Sequence, residues 1–161
     1  MKDKATATRL VRKCAEQGLQ IATAESCTGG LIAKTLTDVA GSSAVFVGGA
    51  VTYTNEVKIA LLGVDPSLIV RESEVSHACA KAMAEGARVR LGATLAVSTT
   101  GYAGPTGGTA EDPVGTVYIG LATPDGTYSE RFSAPEGLSR AGVRRAATDR
   151  AIALLWEFAQ K

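Results

Sequence analysis

Apolar positions along the chain recur at two spacings, and the switches between them predict the elements. Ala7, Leu10, Val11 and Cys14 share one face of a first helix that stops at Gly18. Leu19 to Thr23 is a β-branched and apolar run that reads as a strand, and Leu31, Ile32, Leu36 and Val39 then return to helical spacing, closed by Gly41. Ser43 to Thr54 predicts a second strand, with Gly48-Gly49 marking a bulge or a close backbone approach. A short helix is expected from Asn55, as N-cap, to Leu62, ended by Gly63. Asp65-Pro66 starts another turn, with Pro66 suited to a first helical position. Val75, Cys79, Ala82, Met83 and Val89 draw the apolar line of a long helix over about Val75 to Leu91. Thr94 to Thr100 is a third strand. Val117, Ile119 and Leu121 alternate as a fourth, and Pro124-Asp125-Gly126 turns the chain into a fifth, Tyr128 to Ser133. The last helix, Ser139 to Phe158, carries Val143, Ala147, Ala151, Leu154 and Phe158 on one side.

Strands interleaved with helices, followed by one late hairpin, predict a three-layer α/β/α sandwich. Its sheet is mixed and mostly parallel, of about five strands with one antiparallel. No repeat or linker divides residues 1–161, so a single domain is expected. In such sheets ligands sit beyond the carboxyl ends of the strands. Three segments follow predicted strand ends: the turn at Ser26, the stretch from Tyr53 to Lys58, and the glycine-rich loop from Gly101 to Gly108. If the three strands are parallel, these segments meet on one edge.

Charge and composition narrow the partners. With 17 basic and 16 acidic residues the net charge is +1, so no field favours nucleic acid or a membrane surface. Aromatic residues make up 5% and are scattered, which argues against a base-stacking platform. No apolar run approaches the ~20 residues of a bilayer span, and the N-terminus leads into an amphipathic helix rather than an export signal. Cys14, Cys27 and Cys79 are an odd number without a Cys-x-x-Cys pair, which fits a reducing cytoplasm and speaks against a disulfide framework or a zinc site. A homo-oligomer is expected, its order left open.

His77 is the single histidine, so a Ser-His-Asp triad or a multi-histidine metal site would have to use it. It falls off the apolar line of its helix and reads as a surface residue. The candidate chemistry lies instead in Ala24-Glu25-Ser26-Cys27-Thr28-Gly29-Gly30, a tight turn from strand to helix. Such a turn lifts one side chain clear of the sheet and aims free helix N–H groups beside it. Ser26 and Cys27 are both candidate nucleophiles, and Ser26 or Thr28 could instead be a helix cap. Without a histidine base, an activated serine needs a lysine. Lys58 is the candidate, since Lys34 lies two turns along the same helix and points away. Read alone, Lys58 is better taken as a surface lysine on a short helix. As a base it must be neutral, which requires burial or a nearby cation. Gly101, Gly104, Gly107 and Gly108 supply permissive backbone for wrapping a ligand, or an ordinary loop. Arg140 is a cation in the first turn of a helix, where the macrodipole disfavours it. An anionic partner is one explanation, and a solvated pair with Glu136 is another.

The whole resembles the CinA C-terminal domain family, the nicotinamide mononucleotide deamidases, from about Ala5 to Phe158. The matching pieces are the Ala24–Gly30 turn, Gly49-Ala50-Val51-Thr52-Tyr53-Thr54-Asn55, Lys58, Ser98-Thr99-Thr100-Gly101 with Gly104-Pro105-Thr106-Gly107-Gly108, and Pro113-Val114-Gly115-Thr116-Val117. The resemblance implies hydrolysis of the carboxamide of nicotinamide mononucleotide to nicotinate mononucleotide and ammonia, in pyridine-nucleotide salvage. It implies a serine-lysine dyad at Ser26 and Lys58, with Tyr53, Thr100 and Arg140 at supporting positions, and no cofactor or metal. In the resulting expectation Tyr53 relays a proton to ammonia. N–H groups of Thr28, Gly29 and Gly30 hold the oxyanion, Thr100 and the glycine loop position the nucleotide, and Arg140 meets its phosphate or orients Ser26. The family is often fused behind a larger domain resembling molybdopterin-binding proteins, which this sequence does not carry, so no activity of that domain is expected. Two alternatives remain: a non-catalytic nucleotide-binding module of the same fold, and a thiol enzyme using Cys27.

Overall fold

In a computed structural model, which describes residues 2–161, five strands form one sheet in the order β2-β1-β3-β4-β5. They are β1 (Ile21–Glu25), β2 (Phe46–Val51), β3 (Leu95–Gly101), β4 (Thr116–Thr123) and β5 (Gly126–Ser133). β1 pairs in parallel with both β2 and β3, and β4 pairs antiparallel with β3 and with β5. Four strands therefore run one way and β4 runs against them, the expected mixed sheet. Six helices complete the fold: α1 (Lys2–Gln17), α2 (Leu31–Thr37), α3 (Asn55–Leu62), α4 (Pro66–Glu72), α5 (His77–Arg90) and α6 (Arg140–Ala159). No helix among the described residues is long and apolar enough to cross a membrane.

Strand alternation makes two cores. Ile21, Leu95, Val97, Val117 and Ile119 point to one face and pack with Leu10, Ile32, Leu36, Ala147 and Ile152 of α1, α2 and α6. Ala22, Ala24, Ala96 and Ala122 point to the other, against Leu62 of α3 and Cys79, Met83, Ala84 and Ala87 of α5. The second face is lined with small residues, so α5 lies close to the sheet. A Cβ on Gly120 would stand 2.2 Å from the Ala80 carbonyl oxygen.

That close approach redraws the buried face of α5, and the face of α6 against the first core differs from the expected one as well. The buried side of α5 runs through Cys79, Ala80, Met83, Ala84 and Ala87, while Val89 is exposed. The buried side of α6 passes through Ala151 to Ile152 and Leu155 rather than Leu154 and Phe158. Residue hydrophobicity alone favoured the larger side chains, whereas the sheet selects those that fit against it.

Element ends also moved for local reasons. β2 is shorter than Ser43 to Thr54, because Ser42–Ala44 forms a 3-10 turn and Thr54, not Asn55, caps α3 by accepting from the Val57 amide. The expected bulge is present: the register steps from Ile21 opposite Phe46 to Ala22 opposite Gly48. A Cβ on Gly49 would collide with Thr23 Oγ1 at 2.1 Å, so this bulged edge requires glycine. α5 starts at His77 rather than Val75, since Ser76 accepts from the Cys79 amide as its cap. Asp65 and Pro66 open α4 as cap and first residue.

Candidate active site

Because β1, β2 and β3 run the same way, their carboxyl ends lie side by side. Ser26 follows β1, Tyr53 to Lys58 follows β2, and Thr100 to Ala103 ends β3. These segments, with Arg140 from the start of α6, enclose a cavity of about 330 Å3.

At its floor Lys58 Nζ lies 3.1 Å from Ser26 Oγ and 3.3 Å from the Tyr53 carbonyl oxygen. Ser26 Oγ also reaches that carbonyl, at 3.5 Å. Lys58 is only 1% exposed, which settles its reading as a surface residue against. Its position follows from helix geometry, because Thr54 caps α3 and places the fourth residue on the inward side. Burial holds the Lys58 pKa below the ordinary lysine value, with Cys79 and Glu74 pulling it partly back up. His77 lies outside, exposed, its Nδ1 2.8 Å from Ser129 Oγ.

Ser26 is not a cap, and neither is Thr28. α2 begins after Gly30, whose left-handed φ of 95° carries no side chain to cap with. Glu25 takes that role. Its carboxylate, 1% exposed, accepts from the amides of Gly30, Ile32 and Ala33 at 2.8–3.0 Å and from the Thr28 hydroxyl at 2.7 Å. A carboxylate against a helix N-terminus is favourable in both hydrogen bonding and dipole. Arg144, one turn after Arg140, secures the other side by donating to the carbonyls of Cys27 and Thr28. Neither residue stood out in the sequence. Glu25 directly before the turn and the four-residue spacing of Arg140 and Arg144 were the available signals.

Glu25 also changes the expected oxyanion site. The Gly30 amide is spent on Glu25 and the Gly29 amide on the Ser26 carbonyl. Of Thr28, Gly29 and Gly30, only Thr28 keeps an uncommitted amide. It is joined by Cys27, and neither amide donates to an oxygen among the described residues.

The remaining candidates divide. Thr100 and Gly101 line the cavity, and the Thr100 hydroxyl donates to the Glu74 carbonyl at 2.7 Å. Arg140 donates to the Tyr53 phenol at 2.8 Å and to the Gly104 carbonyl at 2.7 Å, so its partners are site residues rather than Glu136. Tyr53 meets Ser26 and Lys58 through its carbonyl, while its exposed phenol is held at the mouth by Arg140. Gly104 serves by that one carbonyl. Gly107 and Gly108 lie outside the cavity lining, where the loop folds back on Asp112 through the Thr109 amide. Cys27 lines the cavity, but burial pushes its thiol up to about 12, unsuited to a thiolate nucleophile. No cluster of three or more potential metal-ligating side chains occurs among the described residues.

The fold and pocket together define an α/β/α domain with a buried serine-lysine pair at the strand ends. The chain belongs to the CinA C-terminal domain family, whose model matches residues 3–159. It is 56% identical over 117 residues to a CinA-like protein of Myxococcus xanthus, covering 72% of this chain and 28% of that protein. With a CinA-like protein of Mycolicibacterium gilvum it shares 53% over 138 residues, 86% of this chain and 32% of the relative. The chain thus spans about a third of the length of these curated relatives. Among solved structures it matches the competence/damage inducible protein CihA from Agrobacterium tumefaciens with a TM-score of 0.95 and 39% identity, over 100% of this chain and 97% of that one. A CinA superfamily protein from Klebsiella pneumoniae matches with a TM-score of 0.94 and 32% identity, over 99% of both chains.

Burying an ammonium costs stability, so Lys58→Met should raise the unfolding midpoint at neutral pH. The lowered folded-state pKa means the unfolded chain binds the extra proton between that pKa and 10.5. Wild-type stability should therefore rise with pH across this window relative to Lys58→Met. Denaturant titrations of both proteins at several pH values check the sign.

Proposed function

We propose that this domain is a nicotinamide-nucleotide amidase, hydrolysing nicotinamide mononucleotide to nicotinate mononucleotide and ammonia. The observation that carries the reading is the contact of buried Lys58 Nζ with Ser26 Oγ at the floor of a nucleotide-sized cavity. Family membership supports it.

Neutral Lys58 takes the Ser26 hydroxyl proton as Oγ bonds to the amide carbon. The amides of Cys27 and Thr28 are the available donors to the oxyanion, in place of the full Thr28-Gly29-Gly30 set. Lys58, now an ammonium, gives its proton to the departing nitrogen, the C–N bond breaks and ammonia leaves an ester on Ser26. Water then attacks the ester carbon, Lys58 accepts its proton and returns one to Ser26 Oγ. The Tyr53 carbonyl orients the lysine throughout, and its phenol joins Arg140 as a grip at the mouth rather than a proton relay. Lys58 serves as both base and acid, so the scheme writes no metal or cofactor step. The reading places the protein in the cytoplasm, where three free thiols stay reduced.

Ser26→Ala should abolish ammonia release from nicotinamide mononucleotide while nucleotide binding persists, and Cys27→Ala should cost far less. The reverse ranking in an ammonia assay would move the nucleophile to Cys27. Arg140→Ala should raise KM for the mononucleotide and hardly affect nicotinamide riboside, which lacks the phosphate. A kcat loss shared by both substrates would place Arg140 with the dyad instead.

A further inference from the structure

A charged group of the cavity has no part in that scheme. Glu74 is the single carboxylate among the residues lining it, where Lys58 and Arg140 are the cations. It is half-buried, and its side chain's one hydrogen bond among the described residues is a long one, 3.4 Å from the hydroxyl of its neighbour Ser73. It forms no ion pair with Lys58 or Arg140.

The chain holds Glu74 there at a cost. Ser73 is the one described non-glycine residue with positive φ, at 76°. A non-glycine residue held in such a region costs ~1–3 kcal/mol and persists only where its surroundings enforce it. The enforcement is visible: Thr100 at the end of β3 donates to the Glu74 carbonyl, and the Val75 amide donates to Ser73 Oγ. Tyr102 packs against the cluster of Val75, Ala80 and Tyr118 and also lines the cavity. Glu74 and Tyr102 line the same cavity wall; burial first, then the Glu74 charge, raises the Tyr102 phenol pKa, and a hydrogen bond with Ser73 lowers it.

A carboxylate beside an aromatic ring is a site for a flat or quaternary cation. The dyad sets where the carboxamide must lie, and Arg140 sets an anionic end at the mouth. A ligand that satisfies all three carries an amide, an anionic group and a positive charge near the amide-bearing ring. We infer that Glu74 and Tyr102 form the subsite for the positively charged pyridinium ring, so that the pocket selects N-alkylpyridinium amides over amides on neutral rings. This rests on the amidase reading and adds a specificity-determining residue to it. The ring keeps its charge while Ser26 attacks, so Glu74 contributes to binding rather than to the chemical step.

The test compares nicotinamide mononucleotide with its reduced form, whose dihydropyridine ring is neutral but whose ribose and phosphate are unchanged. Both are titrated calorimetrically into Ser26→Ala protein, which binds without turnover, with and without Glu74→Gln. Glu74→Gln should weaken the oxidised mononucleotide roughly tenfold and leave the reduced one within about twofold, collapsing the preference between them. Equal losses for both forms, as a misfolded or merely reshaped loop would give, overturn the assignment, and so does no loss for either. The two readings fail separately. Unaltered protein that releases ammonia from nicotinamide mononucleotide while Glu74→Gln leaves the preference intact rejects only the Glu74 subsite. Unaltered protein that neither releases ammonia nor binds either form rejects both.

Discussion

A lysine with almost no contact with solvent is the constraint on which the rest of this site depends. Lys58 is among the largest fully buried side chains of the protein. Its ammonium form meets no carboxylate at ion-pair distance, only a serine hydroxyl and a main-chain carbonyl. Burial favours the uncharged form of such a group, and in the proposed amidase an uncharged lysine beside a serine is the base. On the proposed function, the same burial that burdens folding supplies the reactivity. Active sites commonly hold stability losses of this kind, offset elsewhere in the structure.

The offset here is the network beneath the turn. Glu25 ties three helix amides and the Thr28 hydroxyl, Thr28 shares a hydrogen bond with Thr99 of the neighbouring strand, and Arg144 clamps two carbonyls from α6. Ser26 is left as the hydroxyl of this turn with no structural duty. Strand parity explains the division of labour. Glu25 and Thr99 point to the α2 side of the sheet and build the support, whereas Ser98 and Thr100 point to the α5 side, where Thr100 fixes the Glu74 segment. One strand end therefore holds the scaffold of the Ser26 turn on one face and the cavity wall on the other.

Much of this was legible in the chain. The order of elements, the single reversed strand and the Gly48-Gly49 bulge follow from period and turn residues. The meeting of Ser26 with Lys58 follows from parallel strands carrying loops to one edge. The roles of Glu25, Glu74 and Arg144 were not legible, because each depends on which backbone groups are left without partners once the chain is folded. The same accounting leaves the amides of Cys27 and Thr28, not those of Gly29 and Gly30, without an oxygen partner among the described residues, and puts Gly107 and Gly108 outside the cavity wall. Tyr53 shows the limit in another way: its residue type drew attention to the phenol, while the dyad is met by a carbonyl that any residue would have. The buried face of α5 shifted because a sheet surface of alanines and Gly120 admits small side chains and turns large ones outward, while α6, on the other face, buries Ile152 and Leu155 against the larger side chains of the first core.

The central claim of the proposed mechanism is that burial beside Ser26 lowers the Lys58 pKa and so favours its neutral form. Heteronuclear NMR of protein labelled at the lysine side chains, titrated with pH and assigned by the signal lost in Lys58→Met, measures it directly. The account predicts that one lysine, Lys58, titrates well below the ordinary value of 10.5 and apart from the others. A Lys58 signal that titrates together with the surface lysines would contradict it.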